Sequence, residues 1–252
     1  MEPGEIIEIG APALAASMMI ALVHAPMGIE VLRRGIVFID LAVAQIAGLC
    51  VVLVNLWQHD PGWWQIQTVA ASAAIAAAIF FRWVERKFPG EQEAIIGSCF
   101  ILAASLALLA LAGHPQGGEE IQHILSGQIL FVSWTKILSF LPLFAVVFCL
   151  WFMAPGIRRG LPFFLAFALV VTASVQLVGV YVVFASLILP ALAVNAIAGR
   201  KERAAILCGA GAALAGISFS VVTDQPAGPV LVFTFAAVAI AFRIAHAMQR
   251  SR

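Results

Sequence analysis

The stretch HAPMGIEVLRRGIVFIDLAVAQIAG, residues 24–48, decides how the chain is read. One apolar segment ends at Arg33 and Arg34, and another begins at once with Asp40 and Gln45 inside it. The pattern is that of a tight membrane hairpin with polar groups at depth, which hydrocarbon tolerates only where such groups have a partner or a role. The remaining chain reads as a cage around this hairpin.

Composition agrees with that reading. Of 252 residues, 63% are hydrophobic and 11% charged, and the mean hydropathy is +1.04. A soluble domain carries about 25% charged residues. The chain therefore reads as an all-α, polytopic integral membrane protein, a single transmembrane domain over residues 1–252, with the lipid bilayer as its surroundings and no nucleic-acid partner. The longest polar interval, residues 113–128, is too short to fold alone. The acidic N-terminus, MEPGEIIEIG, lacks the basic region of a cleaved signal peptide and is expected to belong to the mature chain. Cys50, Cys99, Cys149 and Cys208 lie far apart in apolar runs, without a CxxC, and read as free thiols packed as small hydrophobes.

A helical pass needs about 20 apolar residues. That scale gives nine passes: 11–32, 35–57, 66–84, 94–113, 134–154, 161–178, 180–198, 204–222 and 229–247. Residues 161–198 are one apolar run, too long for one crossing and bounded by basic clusters at both ends. Breaking it near residues 176–179 returns both clusters to the same side; a re-entrant hairpin that stops short of the far surface is the alternative. Pro190 is expected to kink or end the second of these helices.

Lys and Arg then set the orientation. With the Arg33–Arg34 turn in the cytoplasm, every basic residue but Lys136 falls on that side or at its helix ends, placing the N-terminus outside and the C-terminus inside. The outer side collects Glu2, Glu5, Glu8, His59, Asp60, His114, Glu119, Glu120, His123 and Asp224. Small-residue runs at 70–78 (AASAAIAAA) and 209–216 (GAGAALAG) mark close helix contact within the bundle.

Few residues could carry chemistry. Asp40, expected about two turns inside the cytoplasmic end, is either a permeation-path group or a structural partner for an arginine or a helix end. Gln45 suits interhelical hydrogen bonding or the path. His24 is a transient metal contact or a packed, hydrogen-bonded imidazole. Glu30, three and four residues before Arg33 and Arg34, suits an intrahelical ion pair. In GHPQGGEEIQHILSG (113–127), Glu119, Glu120 and His123 share a face if the segment is helical, with His114 nearby. Carboxylate and imidazole suit zinc or manganese, or else a solvated loop at the interface. There is no Walker A, HExxH or GxSxG motif, and Ser186 and Ser126 have no plausible base in sequence, so the chain is not expected to be an enzyme.

These residues make the chain resemble the membrane subunits of bacterial metal-uptake ABC transporters, the zinc/manganese permease family. Four stretches carry the likeness: residues 24–48; GEEIQHILSGQILFVSW (118–134); VGVYVVFASLILPALAV (178–194); and SFSVVTDQPAGPVLV (218–232). The resemblance implies a type-II-like importer half in the bacterial plasma membrane. Two copies would form a homodimer, two cytoplasmic ATPases would dock beneath, and a periplasmic metal-binding protein would deliver Zn²⁺ or Mn²⁺ for ATP-driven alternating access. The chain itself would hold no cofactor. It departs from the family in two places. Gln45 stands in the pass where many members carry a histidine. The link MAPGIRRGL (153–161) has room for about one turn where members have a longer ATPase-docking segment. A stand-alone secondary metal carrier, or a degenerate permease that no longer transports, is the rival reading.

Overall fold

A computed structural model describes residues 3–58, 61–111, 129–197 and 199–250. Among them the secondary structure is helical: α1 (Pro3–Arg34), α2 (Ile39–Trp57), α3 (Trp63–Lys87), α4 (Gln92–Leu111), α5 (Trp134–Met153), α6 (Gly160–Val178), α7 (Val180–Ala193), α8 (Lys201–Thr223) and α9 (Ala227–Arg250), with single 3₁₀ turns at Ile129–Phe131 and Pro155–Arg158. Such an inventory follows from the solvent, since in hydrocarbon only a helix satisfies its own backbone within one segment.

Eight of these helices have the length and apolarity to cross a bilayer. The exception is α7. Its 14 residues rise about 21 Å, short of a ~30 Å core. The apolar run does break where expected, at Gly179, whose φ of 80° is left-handed backbone that a side chain would oppose. Pro190 lies inside α7 rather than ending it; the helix tightens just beyond, with Val194 N–H reaching back to the Leu192 and Pro190 carbonyls.

The chain divides into two compact units. The first comprises residues 1–34, 126–148 and 177–252, hence α1, most of α5, α7, α8 and α9. Within it α1 and α9 each pack against both α7 and α8. These contacts are close. A Cβ on Gly28 of α1 would stand 1.9 Å from the Leu187 carbonyl oxygen of α7, so only glycine allows the two backbones to meet. On α8, Gly209 faces Ala21 and Pro190, while Gly216 faces Leu231 and Thr234 of α9. The small-residue run 209–216 thus serves packing within the unit. The turn from α8 to α9 is closed by Ser220, whose Oγ donates to the Gln225 carbonyl at 2.7 Å.

The second unit comprises residues 35–125 and 149–176, hence α2, α3, α4, the end of α5 and most of α6. Here α2 packs on α3 and α4, using the alanine face Ala70, Ala74, Ala77 and Ala78 of α3. The amides of Gln67 and Gln176 tie α3 to α6 through two reciprocal hydrogen bonds of 2.6 and 3.2 Å. Phe163, Phe164 and Phe167 are fully buried on α6, and Trp151 packs against Phe163. The expected hairpin is accordingly divided: its first arm packs in one unit, on α7 and α8, and its second in the other, on α3 and α4. Close packing outweighs sequence adjacency here, because Gly28 of α1 meets the Leu187 backbone of α7 and Ala21 of α1 meets Gly209 of α8.

Two outcomes test this packing. Gly28→Ala is expected to cost about 1–3 kcal/mol through overpacking, whereas Gly48→Ala, with open space around it, is expected to be neutral; equal melting temperatures in detergent would contradict the Gly28–Leu187 contact. A double-mutant cycle of Gln67→Leu and Gln176→Leu should give a coupling of about 1 kcal/mol, and additive effects would exclude a shared bond.

Candidate functional site

Buried polar side chains inside an apolar chain are where function is sought, and the structure sorts them into satisfied and unsatisfied groups. Glu30, near the end of α1, is satisfied. Its Oε1 accepts from Arg33 Nη2 at 2.6 Å and Arg34 Nε at 2.9 Å, the intrahelical pair its spacing suggested. His24, fully buried one turn before Gly28, lies with Nδ1 2.8 Å from Ser186 Oγ. The Ser186 hydroxyl donates to the Val183 carbonyl at 2.9 Å, so it accepts from the imidazole. Sequence reasoning had given Ser186 no base. A histidine does stand beside it, and the Ser186 oxygen, within hydrogen-bond distance of both the imidazole and the Val183 carbonyl, ties α1 to α7.

Asp40 differs from both. Four residues of turn, 35–38, separate α1 from α2, so Asp40 sits in the first turn of α2, not two turns inside it. It is nonetheless fully buried. Its carboxylate lies beside its own amide and that of Leu41, yet neither oxygen completes a hydrogen bond. Among the described residues no arginine pairs with it; of the two structural partners expected for it, the helix end remains, since it stands in the first turn of α2. Glu93, in the first turn of α4, is close enough to act on it electrostatically. Glu93 Oε1 accepts from the Phe38 amide at 3.1 Å, and Oε2 is buried with no partner. Two carboxylates thus begin two packed helices and hold three oxygens without a hydrogen-bond donor. Helix N-termini favour negative charge there, but they leave the pair an open acceptor set, suited to a hard or borderline cation.

Glu93 is the residue that sequence reading passed over. The available signal was an acid close to the cytoplasmic start of both the second and the fourth pass.

The other sequence candidates are placed apart. Gln45 is buried on α2, five residues from Asp40 and therefore about 140° around the helix from it. His24 belongs to the first unit, Asp40 and Gln45 to the second. His114, Glu119, Glu120 and His123 lie outside the described residues. Among the described residues no three His, Cys, Asp or Glu side chains gather as a metal-holding group. The link 153–161 forms one 3₁₀ turn, Pro155–Arg158, anchored by Arg158, whose Nε and Nη2 donate to the Trp151 carbonyl at 3.0 and 2.8 Å.

Comparison with known proteins agrees with this architecture. The family model described as the ABC 3 transport family matches residues 7–155 and 158–246. The chain is 26% identical over 244 residues to the manganese transport system membrane protein MntC of Halalkalibacterium halodurans, covering 87% of this chain and 81% of that protein. Its fold is similar to a chain of PsaBC from Streptococcus pneumoniae, solved in complex with a Fab, with a TM-score of 0.73 at 19% identity, covering 95% of this chain and 94% of the other. With the family model matched from α1 to α9, this multi-pass membrane protein belongs to the ABC 3 transport family.

Proposed function

We propose that the chain, acting over residues 1–252 as one permease domain, is the membrane-spanning subunit of an ATP-driven divalent-metal importer, with manganese or zinc as cargo. The observation that carries this reading is Asp40, buried with both oxygens unpartnered, in a member of a transport family whose relative MntC is named for manganese transport. Asp40 is the principal cation contact on the path, with Glu93 beside it. Because both stand at helix ends that the positive-inside pattern assigns to the cytoplasm, they serve exit or gating rather than first capture. His24 and Gln45 are further transient contacts, and His114, Glu119, Glu120 and His123 form an outer mouth.

The remaining machinery is separate. Two copies of the chain pair as a homodimer in the bacterial plasma membrane, two cytoplasmic ATPases hydrolyse ATP, and a periplasmic metal-binding protein supplies the ion. This chain holds no cofactor and performs no covalent chemistry. A second reading, a stand-alone secondary carrier, is favoured by one observation: the single turn Pro155–Arg158 where a longer docking segment is expected. Co-purification with an ATPase subunit, and dependence of uptake on ATP, separates the two.

Two measurements test the site. Asp40→Asn keeps the shape and removes the charge. It should lower manganese or zinc uptake by cells about tenfold or more, the worth of one charge-assisted contact, at unchanged membrane abundance; wild-type uptake would remove Asp40 from the path. For His24, the comparison is with its partner. Ser186→Ala deletes only the hydrogen bond, so His24→Ala should lower uptake further, and equal losses would confine the imidazole to positioning.

A further inference from the structure

The cytoplasm-assigned end of α3 carries charges that the transport path does not use. Arg82 is committed: its guanidinium pairs with Glu85 and lies against Gly160 at the start of α6. Arg86 and Lys87, in the last turn, are exposed and have neither an ion pair nor a hydrogen bond among the described residues. Together with Ile79, Trp83 and Leu161, these three basic residues line a cleft of about 550 Å³ between α3 and α6, within the second unit. That size is within the range of small-molecule sites.

The cleft is amphiphilic in a particular order. Ile75, Ile79, Trp83 and Lys87 follow one another at four-residue spacing, so they form one stripe along α3. All four are exposed, the first three at 38%, 53% and 51%. Read toward the cytoplasm, the stripe passes from aliphatic side chains to an indole to an ammonium group. Trp83 is held as a wall between Phe80, stacked at 6.0 Å, and Phe88, edge-on at 5.5 Å. The stripe therefore repeats the profile of a phospholipid: acyl chains, glycerol interface, headgroup phosphate. A cytoplasmic protein could reach Arg86 and Lys87 but not Ile75 and Ile79, which lie about two to three turns deeper along the span.

We infer that this cleft is a binding site for one anionic diacyl phospholipid of the inner leaflet, its phosphate held by Arg86 and Lys87 and its chains lying along Ile75 and Ile79 against Trp83. Basic pockets between transmembrane helices on the cytoplasmic side recognise anionic headgroups by this combination of charge and apolar wall. The inference does not depend on metal transport.

The test is native mass spectrometry of the delipidated full-length protein, titrated with phosphatidylglycerol or with phosphatidylcholine of the same chains. One phosphatidylglycerol should be retained in preference to phosphatidylcholine. Each basic side chain near an anionic headgroup is worth roughly a factor of five, so the Arg86→Gln, Lys87→Gln double variant should lose roughly twentyfold of that preference. Both positions are exposed, and an unchanged melting temperature in detergent is expected to show the variant folded. Glycerol phosphate, which has no chains, should not compete. Three outcomes would overturn the inference: equal retention of the two lipids, an unchanged preference in the double variant, or displacement by glycerol phosphate, which would mark an anion site. An unchanged lipid preference together with lost binding of an ATPase subunit would assign the cleft to protein docking instead.

Discussion

Helices surrounded by hydrocarbon gain little from hiding apolar surface, so the first unit is held by backbones brought into contact. The tightest such place is Gly28 against the Leu187 carbonyl, where α1 meets α7 without an intervening side chain. One turn earlier on α1, and one residue earlier on α7, lies the His24–Ser186 hydrogen bond. The steric fit and the polar bond therefore share one register: sliding α1 by a turn would lose both. Gly209 and Gly216 extend the same logic along α8, the first toward α1 and α7, the second toward α9.

Against this packing, the buried acids divide by whether their charge is answered. Glu30 is answered within its own helix by two arginines, and needs nothing else. Among the described residues, Asp40 and Glu93 are met by the partial positive charge of helix N-termini and by nearby backbone amides, with no cationic side chain. Keeping two nearby carboxylates in that state costs energy that a stability-selected fold would remove with a lysine or an asparagine. Under the proposed function, a mobile cation completes the set in passing. Two carboxylates also suit a moving ion better than a resident one, because a structural site encloses its metal with four or more ligands and releases it slowly.

How much of this was visible in the sequence depends on the range of the interaction. Properties that are local or averaged could be read: the helical spans, the sorting of basic residues, the Glu30 pair, and the break at Gly179 where one apolar run is too long for one crossing. Properties that rest on which faces meet could not. Nothing in residues 24–48 says that the arms on either side of Gly35 pack in different units, since that depends on small faces over 150 residues away. For the same reason Ser186 appeared to lack a base and Glu93 appeared to be a loop acid; each acquires its meaning from a helix that is distant in sequence. Asp40 was read as an acid at depth, and it is buried, but in the first turn of α2 rather than two turns in, because the turn 35–38 consumes residues that the apolar length had assigned to the helix.

The shortness of α7 has a mechanical consequence. A 14-residue helix facing lipid would force the bilayer to thin around it. Tyr181 and Leu192, near its two ends, are exposed, Phe184 and Leu189 are half-buried, and the rest is buried in protein. Hydrophobic mismatch therefore has little purchase on α7. It falls instead on helices that present broad apolar faces, such as α4, where Ile101, Leu102 and Leu109 are each more than 60% exposed. Membranes of different thickness would strain α4, whose first turn carries Glu93, and leave the His24–Ser186 lock on α7 undisturbed.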